Sequence, residues 1–186
     1  VVPVDILPSP NFQAIVGIVE NRPVILLGHH LDAPGRVAFI LAHEAGHIAA
    51  CDCAPSQPVV DETDDVVDNS DIELRADRYA MRVLVGADHP PPIDENLDFK
   101  QLAKQSIEQE RLTGTEASLI IFAWANRTRE YAKATMAAKA LYRGSGARRL
   151  LREQFDCHVD LDAASDSDRA LLRCVYGDPD QSETPR

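Results

Sequence analysis

The stretch Phe39–Cys53, FILAHEAGHIAACDC, is apolar or small except at His43, Glu44, His47 and Asp52. His43 and His47 stand four residues apart, the spacing that stacks two side chains on one face of an α-helix. Glu44 is adjacent on the helical wheel, on the same side. The rest of the segment from Val37 to Ala49 is apolar nearly all round, which predicts a buried helix. A buried helix cannot carry a polar stripe without partners for it. Two neighbouring imidazoles suit a tetrahedral metal ion, and the carboxylate beside them suits a base acting on water at that metal.

Reading outward, Asp32 is the candidate N-cap of this helix and Pro34 fits its first turn. The helix is expected from about Arg36 to Cys51, and Pro55 forbids its continuation. Upstream, Phe12–Gly28 gives two β-branched runs around Glu20-Asn21-Arg22-Pro23, a hairpin or a pair of antiparallel strands. Downstream, Ala54–Asp71 is a strongly acidic connection that reads as a solvated loop. A second helix is expected from about Asp71 to Val85, with Gly86 as its stop. The run DHPPPIDEN then breaks the chain, and from Leu97 onward the pattern is helical, including Glu116–Arg143 and shorter helices after Ser145 and Ser165.

The second helix supplies a third ligand. Glu73 and Asp77 form an i,i+4 carboxylate pair, which repels on an isolated helix. Arg75, Arg78 and Arg82 fall on another face. Glu73 and Asp77 flank an apolar stripe of Ile72, Ala76, Tyr79, Ala80 and Val83 that should face the first helix. Carboxylates turned toward a core want a cation. A zinc ion held by His43, His47 and Glu73, with Asp77 orienting a ligand imidazole, meets that need, and another divalent transition metal would fit the same donors. A competing reading makes Glu73 the fourth member of a capping box, Ser70-Asp71-Ile72-Glu73.

Composition sets bounds on the rest. The chain has 186 residues, 45% hydrophobic and 26% charged, with a formal net charge of -11. That charge argues against direct nucleic-acid binding, since phosphate contact needs a positive surface. The longest apolar run, from Ala117, is too short to cross a membrane. Four cysteines and no apparent secretory signal lead to the expectation of a reduced, cytoplasmic setting. The chain opens at Val1 rather than Met, which leaves room for an upstream piece. Cys51 and Cys53 read as small residues at a helix end, and the basic cluster Arg143–Arg152 as a solvated helix face.

The strand PVILLG, the helix RVAFILAHEAGHIAA and the later IELRADRYAMRVL together resemble the ImmA/IrrE family of metallopeptidases, over about Phe12 to Pro90. The second helix departs from that family's frequent Leu-Met-Pro ending, reading LVGADHPPP instead. The resemblance implies that His43 and His47 are metal ligands, Glu44 the general base, Glu73 the third ligand and Asp77 a polar group behind a ligand. Thermolysin-like zinc peptidases usually add a His or Tyr donor for the oxyanion; His29, His30, Tyr79 and His89 are the candidates here.

The expected fold is α+β: a small antiparallel sheet packed on the HExxH helix and a second ligand-bearing helix, then a helical C-terminal bundle. Its expected parts are a zinc metallopeptidase-like domain over 1–90, a helical subdomain over 91–177 and a disordered tail over 178–186. The expected function is a zinc endopeptidase that cleaves one cytoplasmic protein, with a helix-turn-helix repressor in a stress or mobile-element response as the substrate. The alternative is an antirepressor-like protein that keeps the zinc fold and regulates by contact.

Overall fold

The computed structural model describes residues 1–4, 12–28, 32–54, 58–62, 71–143, 146–160, 163–167 and 169–170. The fold is α+β, with a small sheet near the N-terminus and a helical C-terminal region. The chain divides into two compact units. One comprises 1–30, 51–67 and 148–186; the other comprises 31–50 and 68–147, on both sides of the Pro90–Pro92 break.

In the first unit, strands β1 (Val2–Pro3), β2 (Phe12–Val19), β3 (Arg22–Leu27) and β4 (Val59–Glu62) form one sheet in the order β1-β3-β2-β4. The β2–β3 hairpin turns on Glu20 and Asn21, both at positive φ (49° and 62°). Positive φ at two central residues matches the right-handed twist of the flanking strands, and no glycine is present to supply it. Ala14 pairs with Leu27 and Val16 with Ile25, and all four side chains are buried, so the period-2 pattern fixes the register. β4 pairs antiparallel with β2 across an irregularity between Phe12 and Ala14. β1 runs parallel to β3, so the sheet is mixed rather than wholly antiparallel. Helix α6 (Ala147–His158) also belongs to this unit.

The second unit holds α1 (Pro34–Ala49), α2 (Asp71–Val85), α3 (Phe99–Thr113), α4 (Ala117–Thr128) and α5 (Tyr131–Leu141). α1 begins two residues before the expected start. Its N-cap is Ala33, with no side-chain cap; Asp32 instead accepts a hydrogen bond from Gly146 N at 3.0 Å. α1 stops before Pro55 is reached, as Cys51 turns left-handed (φ 58°). α2 runs as expected to a left-handed Gly86. The Glu116–Arg143 run is two helices, α4 and α5, broken at Arg129 (φ 65°), where neither Gly nor Pro marks the break in the sequence.

The core of this unit is built on α3, α4 and α5. Leu102, Ile121, Trp124, Ala134 and Ala138 are buried together, and the Trp124 indole donates to the Asp94 carbonyl at 2.8 Å. The apolar run from Ala117 is thus a bundle core helix. No described helix is long and apolar enough to cross a membrane.

A polar knot joins the starts of α1 and α4. Glu116 caps α4 by accepting from Ser118 N and Leu119 N, at 2.9 and 3.2 Å, and also accepts from Ser118 Oγ and the Tyr142 hydroxyl. Ser118 Oγ in turn accepts from Arg36 N at 3.2 Å, tying down a free amide of the first turn of α1. Any Cβ at Gly35 would collide with Glu116 Oε2 and Ser118 Oγ, which is why glycine stands there. Burial, then the Glu116 carboxylate, pushes the Tyr142 hydroxyl well above its ordinary range, so it stays a proton donor. Glu116→Ala removes the cap and strands a half-buried hydroxyl; the expected loss is about 2–4 kcal/mol by urea unfolding.

Candidate metal centre

α1 carries His43, Glu44 and His47, and α2 carries Glu73 and Asp77. What lets the two helices meet is small residues. Gly46 sits on the face of α1 turned to α2, and an added Cβ would lie 3.1 Å from Ala76 Cα and 3.3 Å from Ala76 O. A glycine inside a helix costs about 1 kcal/mol relative to alanine, so it needs a packing reason, and the close approach is that reason. On α2 the facing residues are Ala76 and Ala80, which are wholly buried, with Met81. The expected stripe is corrected here: Ile72, Tyr79 and Val83 are exposed. The buried contact centres on the alanines, and of the three bulky residues Tyr79 touches the seam with its Cβ, beside Gly46.

Across this seam the side chains converge. His43 Nε2 lies 3.0 Å from Glu73 Oε2 and 3.0 Å from His47 Nε2. His47 Nε2 lies 3.6 Å from Glu73 Oε1. One ligand atom from each of His43, His47 and Glu73 falls within 4.8 Å of the others, so the group is close enough to hold a metal ion. Donors bonded tetrahedrally at about 2.0–2.1 Å stand about 3.3 Å apart, close to the spacings here.

The tautomers argue for a cation. His43 Nδ1 lies 2.9 Å from Asp77 Oδ1. An ionised carboxylate only accepts, so Nδ1 is the donor. In a neutral His43 that leaves Nε2 as a lone pair, aimed at a second imidazole nitrogen and a carboxylate oxygen. Such a cluster is satisfied by extra protons or by a metal. Its donor set, two nitrogens and one oxygen, leaves a fourth tetrahedral position open. Both histidines are buried, His47 completely, and Glu44 is also completely buried.

Hydrogen bonds from His43, then His47, draw the Glu73 carboxyl from its ordinary 4.5 down to about 2. The capping-box partner Ser70 lies outside the described residues, as do His29 and His30. Of the other proposed oxyanion donors, Tyr79 lies against Gly46 and is partly exposed. His89 is exposed in the segment after α2 and lines a cavity together with Asp77. Neither has a described contact with the His43–His47–Glu73 group. Cys51 and Cys53 lie beyond the end of α1, and no disulfide joins them. Ala76 and Ala80 belong to the expected stripe, whereas Gly46 escaped the sequence reading, although an interior helix glycine beside a histidine was a usable signal.

Two predictions follow from this geometry. Purified protein carries about one divalent transition-metal ion per chain by mass spectrometry, and the His43→Ala/His47→Ala double variant carries none. The second concerns metal-free protein. A carboxyl held at about 2 against 4.5 adds stability that is complete above about 4.5 and lost as pH falls toward 2. Acid titration of stability should show that loss in wild type, and Glu73→Gln should flatten it.

No family model matches this chain and no curated protein matches it, so the resemblance to the ImmA/IrrE metallopeptidases rests on the motif residues themselves.

Proposed function

We propose that this chain is a zinc endopeptidase. The observation that carries the reading is the convergence of His43, His47 and Glu73 on one point, with Asp77 fixing the His43 ring from behind. When bound, zinc supplies a Lewis acid that polarises a carbonyl and lowers the pKa of water to about 7. His43, His47 and Glu73 hold it, and the Asp77 hydrogen bond keeps His43 in the tautomer whose Nε2 can bind.

Glu44, next to His43 in the chain, is the proton carrier. Its carboxylate takes a proton from the attacking water and returns it to the departing amine, the two transfers that amide hydrolysis requires.

The substrate proposed is a single cytoplasmic protein, a DNA-binding regulator of the helix-turn-helix kind. A peptidase of this sort is restrained by selectivity, and one dedicated partner provides it. Net charge of -11 attracts a basic DNA-binding protein over long range. The remaining support is the resemblance, whose family is tied to repressor inactivation in stress and mobile-element responses.

The test is Glu44→Gln, which leaves all three ligands intact. Incubated with helix-turn-helix regulators, wild-type protein should release a discrete fragment, and the variant should lose about 100-fold in rate with unchanged metal content. Equal derepression by both in cells, without any fragment, would instead assign regulation by contact.

A further inference from the structure

A cavity of about 310 Å³ lies beside the metal centre, between α1, α2 and α4, and the chemistry above does not use it. Phe39, Met81, Leu119 and Phe122 form its apolar wall, with Asp77 and Arg78 among its polar groups. Two contacts join it to the centre. Asp77 is hydrogen-bonded to His43, and the Phe39 ring lies 6.1 Å from the His43 ring. The Arg36 guanidinium stands 5.8 Å from the Phe39 ring centroid and 5.2 Å from that of Phe122. It braces the two rings against closing over the space.

The charges around the cavity are unequally committed. Its two carboxylates are engaged, Asp77 with His43 and Asp88 with Arg82 at 2.6 Å. Arg78 has no hydrogen bond or ion pair among the described residues. Arg78 also lines a shallow groove on the outer face of α2, together with Arg75, Tyr79 and Arg82. One guanidinium therefore stands where the apolar cavity meets a row of arginines, in a chain whose overall charge is strongly negative.

We propose that this cavity is a specificity subsite that takes a bulky apolar side chain of an extended polypeptide, with an acidic residue beside it paired to Arg78. The assignment to the cleaved strand rests on the peptidase reading; the binding itself does not. Removing an apolar side chain from water strengthens binding by about tenfold or more. Arginine beside the cavity selects the neighbour's charge, because a lysine there would face a like charge. The bulk charge of the protein guides encounter with a basic partner, and Arg78 chooses which of its segments enters the cleft.

The test uses full-length Glu44→Gln protein and fluorescein-labelled peptides, read by anisotropy. The probes are Gly-Gly-Asp-Asp-Phe-Gly-Gly, its Phe→Gly version and its Asp→Lys version. Added Glu44→Gln/Ala123→Phe fills the cavity from α4, and added Arg78→Glu reverses the local charge; Ala123→Leu replaces the former if thermal melting shows misfolding. The expected result is about tenfold weaker binding on Phe→Gly, abolished by filling the cavity, and a preference for Asp over Lys that Arg78→Glu inverts. Equal binding of the Phe and Gly peptides overturns the proposal, as does a single-stranded oligonucleotide that binds the row unaffected by Ala123→Phe. The expected pattern with no cleavage by metal-loaded wild type supports the subsite and counts against the peptidase reading.

Discussion

Everything at the candidate centre depends on how closely α1 and α2 approach. At the crossing, Gly46 meets the backbone of Ala76, and there is no room for even a methyl group without displacement of a few tenths of an ångström. That contact brings carboxylates from one helix within 3.0 Å of imidazoles on the other. Two imidazoles and a carboxylate then meet in one place, an arrangement that shared protons or a cation can satisfy. The close packing of the helices is what brings His43, His47 and Glu73 near enough to hold a metal ion.

The remaining helices of the same unit hold that crossing in position. Glu116 is both the cap of α4 and the acceptor for Tyr142, while Ser118 takes an amide from the first turn of α1. α1 is thereby held at its N-terminus by the knot and at its middle by Ala76. Rigid support of this kind is what a ligand set needs, because an ion tolerates little error in donor placement. The same arrangement leaves space between α1, α2 and α4, where Phe39 and Phe122 stay apart around Arg36. A cavity next to the centre is a consequence of three helices meeting around a guanidinium rather than around another side chain.

The sequence by itself determined the elements that carry the site. His43 and His47 at i,i+4 in an apolar helix, and Glu73 and Asp77 at i,i+4 in the next, each break a local rule, since buried polar stripes and like-charge pairs are both costly. Two such breaches in neighbouring helices compensate each other, which made the grouping legible without coordinates. The hairpin was legible from its β-branched runs, and the ends of α2 from Asp71 and Gly86.

Tertiary structure decided what depends on shape. Helical periodicity marks a face but cannot rank Ala76 and Ala80 above Ile72, Tyr79 and Val83, because that choice turns on helix separation. The partner of Asp32 is a backbone amide more than a hundred residues away, so its local reading as an N-cap lost to a long-range contact. The break at Arg129 puts an ordinary residue at positive φ, with neither Gly nor Pro to announce it. The parallel pairing of β1 with β3 is a two-residue strand, too short to leave a periodic trace. The cavity beside Asp77 is assembled from three helices and the segment after α2, so no single stretch of sequence contains it.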